Sequence, residues 1–165
     1  DLINDVSGFN YDQKAIDTIK NYDVWKVLHH MQGNPNTMQI NPSYKNILLD
    51  IYDFFEKKIG EDFKKFKYKK FIIDPGIGFG KNLKHNLILM NNISLFHSLG
   101  FPLLIGTSRK RFISQISGKF DTKERFGGTL SSVLFTLSQG VQIFRVHNVK
   151  EVKQGILVYK ELLNQ

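Results

Sequence analysis

At 165 residues and 41% hydrophobic content, the chain can bury one sizeable core, which points to a single domain over 1–165. The absence of cysteine excludes a disulfide framework and a thiolate metal site. No apolar run approaches the roughly 20 residues of a membrane span and no signal-peptide pattern is visible, so no membrane partner is expected and a cytoplasmic setting fits. The net charge of +8 favours anionic partners. Much of the excess lies at Lys57-Lys58 and from Lys64 to Lys70, which reads as solvated surface. Since no basic–aromatic interleaving accompanies it, the expected anion is a small phosphorylated substrate and not nucleic acid.

Along the chain, strand, loop and helix alternate five times. Leu2 to Val6 reads as a short strand passing through Asn4-Asp5, and Tyr11 to Asn21 as a helix with Ala15, Ile16 and Ile19 inward. Val24 to Leu28 is the second strand, followed by a long loop from Met31 to Pro42. In the next helix Tyr44, Ile47, Leu48, Ile51, Phe55 and Ile59 keep the 3.6 period, and Gly60 is placed to end it. Phe71 to Ile73 is a β-branched buried strand with Asp74 at its C-terminal end, followed by a helix from Lys84 to Leu99 closed by Gly100. Pro102 to Ile105 is the fourth strand, with helical segments at 111–116 and 122–139. Gln142 to Val146 is the fifth, with a last helix over 149–163. Strands alternating with helices imply right-handed βαβ units and a parallel sheet, either doubly wound or part of an eight-fold barrel.

The strand ends favour the barrel, because polar residues fall at the C-terminal end of every strand, where (β/α)8 enzymes build their sites. The first strand, with nothing before it, would also be an unprotected edge. A whole barrel takes about 250 residues, so three further units are expected ahead of Asp1.

The amide of Asn4 suits the edge of a heterocycle, although a turn or cap also explains Asn4-Asp5. Met31 is a soft filler that can lie against a flat ring or in the core. His29 and His30 are strand neighbours that face opposite ways, which argues against a zinc site. Asp74 can accept a pair of parallel N–H bonds such as a 2-aminopyrimidine offers, or form a structural ion pair with Lys110. Gly76, Gly78 and Gly80 after it allow positive φ and close approach of a ligand, with Phe79 between them. Gly106-Thr-Ser-Arg-Lys-Arg111 brings Ser108 and three cations to a helix start, an anion site without Walker spacing. Arg145 and His147 alternate and so share a face, a pairing that suits phosphate.

Asn4-Asp5-Val6, Met31-Gln-Gly-Asn-Pro-Asn-Thr-Met-Gln39, Asp74-Pro-Gly-Ile-Gly-Phe-Gly-Lys81, Gly106-Thr-Ser-Arg-Lys110 and Arg145-Val-His-Asn-Val149 resemble, in order, the last five of the eight βα units of dihydropteroate synthases. The resemblance implies a transferase joining 4-aminobenzoate to (7,8-dihydropterin-6-yl)methyl diphosphate with release of pyrophosphate. It further implies that Asn4, Asp74 and Lys110 hold the pterin, and that Arg145 and His147 hold the diphosphate. Phe79, Ser108 and the helix start after Lys110 would flank 4-aminobenzoate. Many members carry serine after the lysine, where this chain has Arg111, which leaves the carboxylate contact open.

The resemblance also implies Mg2+ as cofactor, with its asparagine ligand ahead of Asp1 and no metal ligand within 1–165, and a homodimer. By the same logic, the five units alone would neither close the barrel nor turn over substrate. A pterin-binding methyltransferase domain and a non-catalytic remnant are the alternatives. The first has less need of the motifs around Lys110 and Arg145, and the second is opposed by the intactness of every site position.

Overall fold

The computed structural model describes residues 1–164 other than Gln13, Tyr68, Lys119 and Phe120, and describes Asp62 and Phe63 by backbone alone. Its strands are β1 (Leu2–Asp5), β2 (Trp25–His29), β3 (Phe71–Asp74), β4 (Leu104–Ile105) and β5 (Ile143–Phe144). β1, β2 and β3 form a parallel ladder in which Asn4 lies opposite Val27 and His29 opposite Asp74. β4 and β5 form a second parallel pair. A parallel bridge between Ile73 and Leu103, with Ile73 N–H donating to Pro102 O at 2.9 Å, joins the two. Spatial order therefore equals chain order, whereas a doubly wound sheet reverses partway. The arc also curls, because Arg145 beyond β5 reaches Asn4 on β1. This is five-eighths of a (β/α)8 barrel wall.

The helices are α1 (Ala15–Ile19), α2 (Ile47–Asp62), α3 (Leu83–Asn91), α4 (Arg111–Ser117), α5 (Phe126–Ser138) and α6 (Val149–Leu163). Among the described residues no helix is long and apolar enough to cross a membrane. The expected helix over Lys84–Leu99 divides into α3 and a 3-10 segment, Ile93–Leu99. At the junction Asn92 Nδ2 donates to the Ile88 carbonyl at 2.9 Å, the side-chain competition that disfavours asparagine inside helices. Gly100, at φ 79°, ends that segment as expected, but Gly60 does not end α2. The helix runs on to Asp62 and into a 3-10 turn, Phe63–Lys65. β5 starts one residue later than expected because the Gln142 side chain, not a backbone carbonyl, accepts the Leu103 N–H at 2.8 Å.

Strand alternation divides the core into two. Leu28, Phe71, Ile73, Leu103 and Ile105 face outward and pack under Ile47, Ile51 and Phe55 of α2 and Leu89, Ile93 and Phe96 beyond it. Each such side chain contributes about 1.5–3 kcal/mol when fully buried. Val27, Ile72 and Leu104, with Ile143, form the inner cluster. Continuing the period of two along β2, β3, β4 and β5 from this inner set reaches His29, Asp74, Ser108, Arg145 and His147, and Asn4 joins them through its register with Val27. The site is thus the upper layer of the barrel interior.

Candidate functional site

Asp74 is the fixed point. Its carboxylate is buried at the end of β3, and Oδ1 accepts the N–H of Gly76 at 2.8 Å. Oδ2 accepts Arg145 Nη2 at 2.8 Å, while Nη1 of the same guanidinium donates to Asn4 Oδ1 at 2.6 Å. The ion pair considered from sequence, Asp74 with Lys110, is therefore not the one formed. Lys110 Nζ instead lies 4.0 Å from the centre of the Phe79 ring. Burial, then the charge of Arg145, pull the Lys110 ammonium below the usual lysine range. A cation held on a ring face in a partly desolvated site gains electrostatic stabilisation from the ring quadrupole.

Asn4, Phe79, Ser108, Lys110, Arg145 and His147 line one cavity of about 430 Å3. Ser108 Oγ accepts the backbone N–H of His147 at 3.2 Å and lies 2.8 Å from its Nδ1. Its own O–H is free to donate to Nδ1, which leaves Nε2 of His147 as a donor. Met31 is half-buried and is not in the lining of this cavity. Gly78 lies in an adjoining cleft of about 320 Å3 with Lys110 and Arg111. A larger apolar cavity, about 620 Å3 between α3, α4 and α5, has no charged residue in its lining and is not where these groups converge.

The glycines after Asp74 all have positive φ, but their freedom serves the protein's own backbone more than a ligand. A Cβ on Gly76 would run into the His30 carbonyl, so the loop can lie on the end of β2 only with glycine there. At Gly106 a Cβ would come 2.8 Å from Nη2 of Arg145, so the guanidinium would have to shift from its present path to Asp74.

The turn that presents Lys110 is strained, with Arg109 at φ 58°. It is held from three sides: Arg109 N–H donates to Thr129 Oγ1 at 3.0 Å, Arg109 Nη2 to Asn148 Oδ1 at 2.9 Å, and Arg125 Nη1 to the Arg109 carbonyl at 2.9 Å.

Three buried residues at the site were not singled out as site residues from sequence. His29 is fully buried; its Nδ1 lies 2.7 Å from the Val6 carbonyl, and its Nε2 lies 3.8 Å from Asp74 Oδ2. His30 and Lys81 form a second pair, with Lys81 Nζ donating to His30 Nδ1 at 3.0 Å and to the Phe79 carbonyl at 2.9 Å. Burial pulls Lys81 down to about 7, and burial with the Lys81 charge holds His30 well below the usual histidine value. The two histidines thus point to different partners, as strand neighbours should. Period-two alternation through Val27-Leu28-His29 was the available signal for His29, whereas nothing local marks Lys81 as buried.

Parallel strands in chain order, with an acceptor pair and a set of cations gathered at their C-terminal ends, define a (β/α)8-barrel protein with a strand-end ligand site. Residues 1–147 match the family of pterin binding enzymes. A dihydropteroate synthase of Neisseria meningitidis serogroup B is 38% identical over 98% of this chain and 58% of its own length. That of Escherichia coli K12 is 35% identical over 99% of this chain and 57% of its own length. The dihydropteroate synthase of Thermus thermophilus in complex with 6HMPPP superposes with a TM-score of 0.92 at 32% identity, covering 98% of this chain and 64% of that one. Its complex with 4-aminobenzoate gives 0.92 at 33%, covering 98% and 62%. The chain belongs to the pterin-binding enzyme family, and it spans a little under 60% of the length of these two curated relatives.

Proposed function

We propose that the chain is part of a dihydropteroate synthase, its residues 1–165 forming the pterin-binding domain that carries the pterin- and diphosphate-holding walls of the site. The observation that carries this is the convergence of Asp74, Lys110, Arg145 and His147, from three different strand ends, on one site. A planar guanidinium already sits across Asp74 and Asn4 as a donor fork. The N–H pair of a 2-aminopyrimidinone is the same kind of donor, so a dihydropterin takes these acceptors as Arg145 swings out.

Released, Arg145 joins His147 at the diphosphate, where their donors meet the charge that develops as the bond breaks. The exocyclic CH2–O bond breaks with its electron pair leaving on pyrophosphate. The amine nitrogen of 4-aminobenzoate then forms the new C–N bond and loses one proton. Phe79, beneath Lys110, flanks the aromatic amine, and Arg111 in the adjoining cleft offers a cation to its carboxylate. A leaving group of this charge favours the synthase over a methyltransferase, which has less use for Arg145 and His147.

Mg2+ is the cofactor the resemblance implies, with its ligand ahead of Asp1; among the described residues no three His, Asp or Glu come together, and an ion of this kind is held largely by substrate phosphates. No step here is assigned to it. Exposed Leu157, Val158 and Leu162 on α6 support a homodimer, and a cysteine-free chain suits the cytoplasm. The test is pyrophosphate release by the protein from the pterin diphosphate. It should require 4-aminobenzoate, and release indifferent to that amine would refute the assignment.

A further inference from the structure

His29 faces the site from below. It lies opposite Asp74 in the β2–β3 register, on the inner face, and no part of it is exposed. Its ring stands edge-on to Phe79, with centroids 4.5 Å apart and planes at 86°, so it touches both the carboxylate and the aromatic wall. With Nδ1 committed as a donor to the Val6 carbonyl at 2.7 Å, only Nε2 can change its protonation. That nitrogen has no hydrogen-bond partner among the described residues, and it points at Asp74 Oδ2. A neutral ring there turns a lone pair toward a carboxylate, a contact that becomes favourable only on protonation.

The charges around the ring explain why it stays neutral while Arg145 sits on Asp74. The carboxylate favours the imidazolium, but burial outweighs it, and Arg145 and Lys81 oppose it further. Lys110 lies beyond, acting on the same carboxylate, and His30 is held neutral beside it. Of these groups Arg145 is the one with room to withdraw: its side chain is 39% exposed against 1% for Asp74. Once it withdraws, a buried carboxylate bonded to a neutral pterin loses the one cation in direct contact with it, keeping only the more distant Lys110 and Lys81, which is costly in a water-poor site.

We propose that His29 is a positioning residue that replaces Arg145 as the counter-charge of Asp74: as a pterin displaces the guanidinium, Nε2 of His29 takes a proton from solvent and donates it in a hydrogen bond to Asp74 Oδ2. The proton returns to solvent when the pterin leaves and Arg145 falls back. This rests on the pterin reading above and extends it to a residue that contacts neither substrate.

The experiment is calorimetric titration of the protein with 6-hydroxymethyl-7,8-dihydropterin, which lacks a diphosphate, in two buffers of different ionisation enthalpy. The wild type should take up protons, approaching one per pterin bound. Its affinity should strengthen as pH falls from about 8 to about 6, by at most about tenfold per unit, the limit for one proton. His29→Met and His29→Gln should bind with no such uptake and a flat pH profile. Equal uptake in wild type and variants, or none in either, overturns the proposal. Failure of the wild type to bind the pterin overturns the underlying assignment and the proposal with it. Should the variants not fold, the 15N resonance of His29 Nε2 in wild type decides: a shift from lone-pair to protonated values on pterin addition supports the proposal, and an unchanged shift refutes it.

Discussion

The two walls of the site are built differently. β1, β2 and β3 pair over four residues each and carry the acceptors, Asn4 and Asp74, with Asp74 buried and its Oδ1 already bonded to Gly76. β4 and β5 pair over only two residues and hand over to loops that carry the donors, Ser108, Lys110, Arg145 and His147. The acceptor wall is therefore tied into the longer ladder, with a buried Asp74 beside an exposed Asn4, whereas the donor wall hangs on loops held by side-chain bonds such as that from the Arg109 N–H to Thr129. The difference suits the two halves of the substrate. A flat heterocycle rewards acceptors fixed in one plane, and a charged leaving group rewards cations that can follow it.

Crossing the walls is the sharpest way to test that contrast. Arg145→Ala removes the one side chain that bridges them, and should lower kcat by about 10²–10³-fold, the range for loss of a charge-stabilising donor. The same variant should bind the pterin alcohol more tightly than wild type, because Asp74 and Asn4 no longer have an internal competitor. Steady-state rates and calorimetry together check both halves, and weakened pterin binding would break the comparison.

Asp74→Asn attacks the acceptor wall alone. Losing a charge-assisted bond costs about 1.5–3 kcal/mol, so pterin affinity should fall by about 10–100-fold while direct binding of 4-aminobenzoate stays within about twofold.

The smallest effect on turnover, and the clearest on stability, belongs to Lys81 beneath the loop. With its folded value pulled down to about 7 from an ordinary 10.5, the unfolded chain holds the proton more tightly between these limits. Stability should therefore rise as pH climbs from about 7 toward 10.5, and be flat in this respect below 7. Lys81→Met should remove that rise in denaturant titrations. A rise that persists would mean that Lys81 is solvated and charged.

Much of this was legible in the residues. Hydrophobic periodicity located all five βα units, and the last helix matches its expected 149–163 bounds. Asp74, Lys110, Arg145 and His147 stood out because charge at the end of an apolar strand has few packing explanations. Boundaries failed where a side chain replaced the backbone, as Gln142 does at β5 and Asn92 does after α3. Met31 stayed ambiguous because a flexible thioether suits core and pocket equally. The glycines of the Asp74 loop were correctly read as needing positive φ, but Gly76 meets a carbonyl of the neighbouring loop, and sequence carries no information about which body comes close.

The chain by itself determined the order of strands and helices, the faces of each strand and the chemical character of every strand end, because these depend on neighbours within a few residues. Only the tertiary structure decided that Arg145 reaches across to Asn4 and Asp74, that Lys110 rests on Phe79, and that Nε2 of His29, unpartnered among the described residues, faces the Asp74 carboxylate. Those contacts depend on how far the five-stranded wall curls, a property summed over the whole sheet and written in no single segment.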